Sequence, residues 1–376
     1  MKILVWIICI SLLSTTKFQK SPKSSSDFHK ITLQKATTKL LQKILKLNQK
    51  IEYLQKLHTR SRLLQTRQKP PIKIPIIGIL SQPVPWYLKK FKSNSRSYIS
   101  ASYPKWIEQV GAIAIPIPYT LPLPKIFKLM DQLNGILLPG GDISVFTKSV
   151  HKAYIEVLNS VIQKFIKINK SGKHFPIWGT CNGFEQLINY FSNHTIKSTD
   201  VKDHRVNKRL SFNKIDLPKT KFGGYLSKGL ITNLERKKLS WFVHSNGIYQ
   251  ADWLKNTFLQ KNLYSVATSV TEDKVPIISI IEGKNFPIFG TQFHPEKIQF
   301  EKSKLFPNMN TSEDSVRASV FLSEILKKEA MKNDQFFQSK KFFGIIRFKN
   351  FNVYKTEGVF REVYFFENMP SQFSYH

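Results

Sequence analysis

The sequence predicts an α/β domain in which a mainly parallel central sheet is covered by helices on both faces. Apolar runs of strand length alternate with helical patterns through the first half of the chain, an alternation typical of parallel sheets. Several of the runs end in glycine-rich turns. The 376 residues are enough for one large domain with a sizeable core and additional segments.

Apolar periodicity places the elements in order. The predicted strands of the first half are 74–80, 112–118, 135–138 and 175–178. The predicted helices are 98–110, 122–133, 148–169 and 184–191. The second half predicts β-type runs with turns, at 275–282 and 286–289, and a closing helix at 313–328.

The ends of the chain have patterns of their own. Residues 1–16 hold one lysine and a short apolar run, which predicts a signal peptide. Residues 17–71 read as a Lys-rich linker and an amphipathic, heptad-like helix over 30–66. The main domain is expected at 72–330, and residues 331–376 are interpreted as a C-terminal extension without a clear pattern.

A signal peptide would place the protein in the secretory pathway, either outside the cell or in a lysosome or vacuole, and an uncleaved anchor is the alternative. Sequons at Asn169, Asn193 and Asn310 fit that route. The role of the 30–66 helix stays open: it could pack on the main domain, form a homodimer or make weak contact with an anionic membrane surface. Packing or self-association is the simpler hypothesis.

The formal net charge of +33 comes mostly from lysine. Such an excess can indicate a polyanionic partner, but the distribution of charge marks a binding face better than its total does. The chain has no nucleic-acid-binding motif and no cluster of arginines, and it is also rich in Ile, Asn and Phe. Codon bias is therefore the preferred explanation, and no nucleic-acid partner is expected.

Cys181 is the best candidate nucleophile. It lies between a predicted strand and a predicted helix, within Gly179-Thr180-Cys181-Asn182-Gly183. Glycines on either side permit the sharp turn of a nucleophile elbow, and the helix N-terminus is expected to lower the pKa of the thiol. The backbone N–H of Asn182 can point at a developing oxyanion. The loop at Gly141 follows another predicted strand and can offer a second such N–H, although alone it would read as a plain turn.

A thiol nucleophile also needs a base that later protonates the leaving amine. Of nine histidines, His294 is best placed, because it follows a short apolar strand and precedes Glu296 by two residues. That carboxylate can accept a hydrogen bond from the imidazole and orient it.

Three motifs occur together in one order: Pro-Gly-Gly at 139–141, Gly-Thr-Cys-x-Gly-Phe-Glu at 179–185 and Gly-x-Gln-x-His-Pro-Glu at 290–296. In this combination residues 72–330 resemble the class I glutamine-amidotransferase-like superfamily, and within it the γ-glutamyl hydrolase family. The resemblance implies a flavodoxin-like architecture and cleavage of γ-glutamyl amide bonds, with folylpoly-γ-glutamates as the small-molecule substrate. It implies no metal and no cofactor.

Transferred to this sequence, the resemblance makes Cys181 the nucleophile, His294 the base and then the acid, and Glu296 its orienting partner. Gly141 and Asn182 would supply the oxyanion N–H groups. Asn182 departs from the Leu usual in the family, but only its backbone is needed.

The resemblance also implies residues on the substrate side. Glu185 stands where glutaminase relatives carry Gln, which favours the hydrolase. His244, Arg96 and Tyr98 resemble residues that the family places near the substrate. Residues 195–240 match the family poorly, so the pocket is expected to differ there.

Three alternatives remain. The chain could be a glutaminase that feeds ammonia to a synthetase, although no synthase domain is recognised. It could be a catalytically inactive member that acts as a binding or membrane-surface protein, although every expected catalytic residue is present. It could hydrolyse a γ-glutamyl substrate other than folate.

Overall fold

The computed structural model describes residues 25–67, 73–141, 148–196, 198–201 and 204–367. The chain divides into two compact units, and the first ends at residue 72. The first contains the helix α1, Ser25–Arg67, in which Leu40, Leu47 and Leu54 are exposed. The predicted N-terminal helix is thus confirmed, whereas its partner stays a prediction. The predicted signal peptide lies outside the described residues.

The second unit is built on a mixed eight-stranded sheet. Its strands are β1 (Ile76–Leu80), β4 (Ile113–Ile117), β5 (Gly135–Leu138), β6 (Ile177–Thr180), β9 (Ser211–Phe212), β12 (Leu263–Val270), β13 (Pro276–Gly283) and β14 (Ile288–Thr291). The order is β4-β1-β5-β6-β14-β13-β12-β9. The first five strands are parallel neighbours, and the last three add antiparallel pairs at one edge.

The remaining strands are short. They are β2 (Gln82–Pro83), β3 (Ser97–Ser100), β7 (Thr199–Asp200), β8 (Val206–Lys208), β10 (Ser240–Phe242), β11 (Asn246–Gly247), β15 (Val353–Lys355) and β16 (Glu362–Phe366). A second sheet has the order β15-β16-β3-β2, and two strand pairs, β10 with β8 and β11 with β7, stand alone.

The helices of this unit follow α1 in chain order. They are α2 (Trp86–Lys89), α3 (Ser102–Glu108), α4 (Leu123–Met130), α5 (Lys148–Lys170), α6 (Asn182–Phe191), α7 (Lys221–Tyr225), α8 (Lys228–Arg236), α9 (Gln250–Lys255), α10 (Thr257–Asn262), α11 (Lys297–Phe300), α12 (Glu313–Ala330) and α13 (Lys340–Ile345). Short 3₁₀ turns occur at Leu217–Lys219 and Phe348–Asn350. Among the helices that the structure describes, none is both long and apolar enough to cross a membrane.

Two buried apolar clusters lie on opposite faces of the large sheet. On β1 the side chains alternate between them: Ile76 and Leu80 join one cluster, Ile77 and Ile79 the other. The first cluster includes apolar residues of α4, α5 and α6, and the second those of α3 and α12. The predicted α/β class, with helices on both faces of a mainly parallel sheet, is confirmed.

Two local expectations were wrong for the same reason. Residues 98–110 were predicted as one helix, but 97–100 form β3 and the helix α3 begins at Ser102. Residues 331–376 were interpreted as an extension, but β16 pairs with β3 over Val363↔Ser100 to Phe366↔Ser97. The described part of this segment, 331–367, therefore belongs to the main unit, and this pairing of distant residues leaves no local signal in the sequence.

Candidate active site

Cys181 occupies the sharp turn between β6 and α6. Its backbone has φ 50° and ψ −109°, a conformation that non-glycine residues adopt rarely and that stores strain. The Cys181 N–H donates to the carbonyl of Thr291 at 2.8 Å, which ties the turn to β14. The turn is close to β5, since a Cβ added at Gly183 would collide with the carbonyl oxygen of Leu138. Glycine is required there because no side chain fits.

His294 reaches the same sheet edge from the neighbouring strand. β14 runs parallel to β6 with Thr291 opposite Thr180, so the chain leaves both strands side by side. The N–H of His294 donates to the carbonyl of Trp241 at 2.8 Å, and its Nδ1 lies 2.7 Å from Oε1 of Glu296.

The Glu296 carboxylate determines which ring nitrogen of His294 carries the proton in the neutral ring. Burial acts to raise the pKa of Glu296, but the charge and hydrogen bond of His294, together with Lys297, lower it below its usual value. An ionised carboxylate can only accept, so Nδ1 of His294 carries the proton that is donated to Glu296. When the ring is neutral, the other nitrogen, Nε2, carries a lone pair that can take a proton.

The nucleophile candidate and the base candidate meet at Gly140. A Cβ added at Gly140 would lie 2.7 Å from Cε1 of His294 and 2.9 Å from Cβ of Cys181. Both side chains therefore lie within van der Waals distance of one point. The residues that the three motifs predicted from separate stretches are brought together at the carboxyl ends of β5, β6 and β14.

These residues line a cavity of about 570 Å³. This volume is within the range of sites for small molecules. The described residues that line it are Tyr87, Gly140, Gly141, His151, Cys181, Asn182, Glu185, Gln186, Ser198, His204, Val243, His244, Ser245, Asn246, His294, Lys297, Val359 and Phe360.

The pKa of the Cys181 thiol is shifted in the direction opposite to the expectation. Burial raises this pKa well above its usual value, and the negative charges of Glu185 and Glu296 raise it further. A hydrogen bond from the Asn182 N–H and the positive charge of Lys297 act the other way but do not outweigh them. Cys181 therefore rests as a thiol and needs a base to remove its proton.

The Pro139–Gly141 loop is held by two side chains. The Gly140 N–H donates to the hydroxyl of Tyr103 at 2.6 Å, and Nε2 of Gln82 donates to the carbonyl of Pro139 at 3.0 Å. Gly141 lines the cavity, as does Asn182, whose N–H points at the thiol. The two residues predicted as oxyanion donors thus line the same cavity as Cys181.

Glu185 and His244 also line this cavity. Oε1 of Glu185 accepts from Nε2 of Gln292 at 2.9 Å. Nδ1 of His244 lies 2.7 Å from the carbonyl of Asn246, so it is the protonated nitrogen, and burial lowers the pKa of His244 to about 3. Nε2 of His244 is buried without a hydrogen-bond partner in the described part of the chain, which leaves an acceptor for a ligand.

Tyr98 and Arg96 are placed differently. Tyr98 is buried, packs 5.5 Å from the ring of Phe360 and lies 3.4 Å from Oε1 of Gln82 through its hydroxyl. Tyr98 thus packs behind Phe360 and does not itself line the cavity. Arg96 is exposed and does not line the cavity. Their assignment to substrate contacts stays a prediction.

Several residues at the site were not singled out from the sequence. Tyr103 holds the loop, and Phe360 and Lys297 line the cavity. Lys297 directly follows Glu296, so its position in the motif was a usable signal. Phe360 offered none, because it arrives from the distant C-terminal segment. Within the described ranges, no group of three or more His, Cys, Asp or Glu side chains could hold a metal ion.

Comparisons with known proteins show which family this chain resembles. The family model for glutamine amidotransferase class-I matches residues 98–310. Gamma-glutamyl hydrolase of Bos taurus is 32% identical over 271 residues, covering 72% of this chain and 82% of the relative. The Homo sapiens gamma-glutamyl hydrolase is 33% identical, covering 71% and 81%. Gamma-glutamyl hydrolase 1 of Arabidopsis thaliana is 29% identical, covering 69% and 72%.

The fold, the motif positions and the family model define a domain of the class I glutamine amidotransferase type. The extent and identity of the matches show the family within this class: the chain belongs to the γ-glutamyl hydrolase family. The resemblance and the hydrolase class predicted from the sequence are confirmed.

Proposed function

We propose that this protein hydrolyses γ-glutamyl amide bonds of folylpoly-γ-glutamates, with Cys181 as the nucleophile and a thioester as the intermediate. The observation that carries the proposal is the meeting of Cys181 and His294 at Gly140, with Glu296 hydrogen-bonded behind the histidine. Family membership supports the γ-glutamyl bond as the target.

The first half of the reaction forms the thioester. Nε2 of His294 takes the proton of the Cys181 thiol as the sulfur attacks the γ-carbonyl carbon. The carbonyl π bond becomes an oxyanion, which the N–H groups of Gly141 and Asn182 stabilise. The carbon–nitrogen bond then breaks, and His294 returns the proton to the departing amine.

The second half releases the product. Water gives a proton to Nε2 of His294 as its oxygen attacks the thioester carbon. The second tetrahedral intermediate collapses, the carbon–sulfur bond breaks, and the proton returns to Cys181. Glu296 keeps Nδ1 protonated throughout and stabilises the imidazolium that forms in each half. The raised pKa of Cys181 makes this coupling of proton transfer to attack necessary.

The test is hydrolysis of three compounds by the full chain: a pteroylpenta-γ-glutamate, a plain γ-glutamylglutamate peptide and free glutamine. The proposal expects cleavage of the first, with kcat/KM above that for the peptide, and little ammonia from glutamine. Cys181→Ala removes the nucleophile and should lower kcat by at least about 10⁴-fold.

In the full chain with residues 1–16 retained, Cys9→Ser is the control, because Cys9 is the other cysteine. It should retain full activity, and a thermal unfolding midpoint for each variant separates loss of chemistry from loss of folding. Faster turnover of glutamine than of the γ-glutamyl compounds would favour a glutaminase instead. Cleavage that survives Cys181→Ala would exclude the cysteine mechanism.

A further inference from the structure

The helix α1 carries an exposed apolar stripe with heptad spacing. Over 35–57, where the structure describes the side chains of α1, the stripe consists of leucines and isoleucines that are 41–64% exposed: Leu40, Ile44, Leu47, Ile51 and Leu54. They follow one another at alternating steps of four and three residues, which keeps all of them on one face of the helix. Single exposed apolar residues are ordinary, but an aligned row of them marks a surface that binds a partner.

The branching of these side chains indicates the type of partner. With Ile44 and Ile51 at the a positions of the heptad, the leucines of the stripe fall at the d positions. A β-branched residue at a with leucine at d favours two parallel strands over three or four. Such a helix is complementary to itself, because each a or d side chain of one copy inserts between four residues of the other. A second copy of α1 therefore fits the stripe.

The residues beside the stripe favour a parallel pair over an antiparallel one. In a parallel coiled coil each g residue of one copy faces an e residue of the other. Lys43 then faces Asn48, and Lys50 faces Gln55, so each ammonium meets a neutral amide. In an antiparallel pair g faces g, and the lysines of the two copies would repel each other.

The charge of α1 separates a second copy from a membrane as the occupant of the stripe. The lysines of 35–57 lie off the stripe, at the c, f and g positions: Lys35, Lys39, Lys43, Lys46, Lys50 and Lys56. Two copies bring like charges together, so screening by salt strengthens their association. Salt weakens the attraction of the same lysines to an anionic lipid surface. The two occupants therefore respond to salt in opposite directions.

We infer that α1 pairs with α1 of a second copy of this chain as a parallel, two-stranded coiled coil, with the apolar stripe buried between the helices. The pairing involves the unit that ends at residue 72, whereas Cys181 and His294 belong to the other unit. It is therefore independent of the proposed function and adds an interaction surface to it.

The test is disulfide trapping of the full chain in a Cys9→Ser background, where the remaining Cys181 is buried. Leu40→Cys places a thiol at a d position near one end of the stripe. A parallel pair brings two such thiols within disulfide range, and an antiparallel pair separates them. Leu45→Cys is the matched control, because Leu45 is 51% exposed on the same helix but lies at a b position. Under mild oxidation, Leu40→Cys should form about tenfold more cross-linked dimer than Leu45→Cys.

A charge placed in the stripe gives a second comparison, within the Leu40→Cys background. Ile44→Lys should raise the protein concentration for half-maximal cross-linking by about 100-fold, because it puts an unpaired ammonium between the helices. Leu45→Lys adds the same charge off the stripe and should leave that concentration within about threefold of its starting value. Raising NaCl from about 0.05 to about 0.5 M should increase the cross-linking of Leu40→Cys.

Three results would overturn the inference. The first is equal cross-linking of Leu40→Cys and Leu45→Cys. The second is cross-linking that Ile44→Lys leaves unchanged, which would assign the association to another surface. The third is binding of wild type to phosphatidylserine–phosphatidylcholine vesicles that Ile44→Lys abolishes, together with no cross-linking of Leu40→Cys. That combination would assign the stripe to a membrane surface.

Discussion

The cavity has two walls of different origin. The catalytic wall, formed by Gly140, Cys181, Asn182 and His294, stands at the ends of three adjoining parallel strands. The C-terminal wall, formed by Val359 and Phe360, comes from the connection between β15 and β16. The first is fixed by main-chain geometry, because neighbouring parallel strands must end at one edge. The second depends on the pairing of β16 with β3.

This difference indicates a division of work between the walls. The catalytic wall holds the groups that exchange protons and stabilise charge. The C-terminal wall is apolar and places the Phe360 ring against the Lys297 ammonium. Changes in the catalytic wall should therefore lower kcat, whereas changes in the C-terminal wall should raise KM.

Glu296→Gln should give the largest change in kcat among the variants that distinguish the two walls. The amide keeps the shape of the side chain but removes the charge that holds Nδ1 of His294 protonated, so Nε2 is no longer reliably available as a base. We expect kcat to fall by about 10²- to 10⁴-fold with KM little changed. Steady-state kinetics on a γ-glutamyl substrate measure both constants.

Glu282→Gln is the control for this variant. Glu282 is another buried glutamate, but it accepts from the N–H groups of Lys221 and Phe222 and lies outside the cavity wall. Its kcat should stay near wild type even if its unfolding midpoint falls. If KM in Glu296→Gln changed as much as kcat, the catalytic wall would also contribute to substrate binding, and the division between the walls would be contradicted.

Phe360→Leu should give a smaller effect of the other kind. The substitution removes the ring that packs on Tyr98 and covers Lys297, and it shortens the C-terminal wall. We expect KM to rise about 3- to 10-fold with kcat within twofold, from roughly 1 kcal/mol of lost contact. Phe365→Leu on β16 is the matched control, since that buried ring packs on Tyr354 outside the cavity. Similar KM values in the two variants would assign the effect to loosened packing.

Residues of the catalytic wall could be predicted from the sequence, whereas Phe360 of the C-terminal wall could not. Cys181, His294 and Gly141 could be placed because each follows an apolar run, and the ends of such runs meet in a parallel sheet. Phe360 could not be placed, because its position depends on β16 reaching β3 from more than 250 residues away. The direction of the Cys181 pKa shift was missed for a related reason. The helix N-terminus is visible locally, whereas burial and the approach of Glu185 and Glu296 appear only in the fold.

His244 lies in a third part of the cavity, Val243–Asn246, and is tested through protein stability. The fold keeps its imidazole neutral down to a pKa of about 3, below its ordinary value of 6.5. Below pH 6.5 the unfolded chain binds a proton at this residue and the folded chain does not. The free energy of unfolding should therefore fall by about 1 kcal/mol for each pH unit between 6.5 and 3 on account of this histidine.

His244→Asn removes the titrating group and keeps an N–H donor for the carbonyl of Asn246. Urea unfolding at pH 7 and pH 5 should show a smaller loss of stability in this variant than in wild type. His194→Asn, at an exposed position, should lose as much as wild type does. An equal loss in all three proteins would mean that His244 is solvated well enough to take up its proton in the folded state. The Val243–Asn246 segment would then be an open edge of the cavity, and both walls would face water across it.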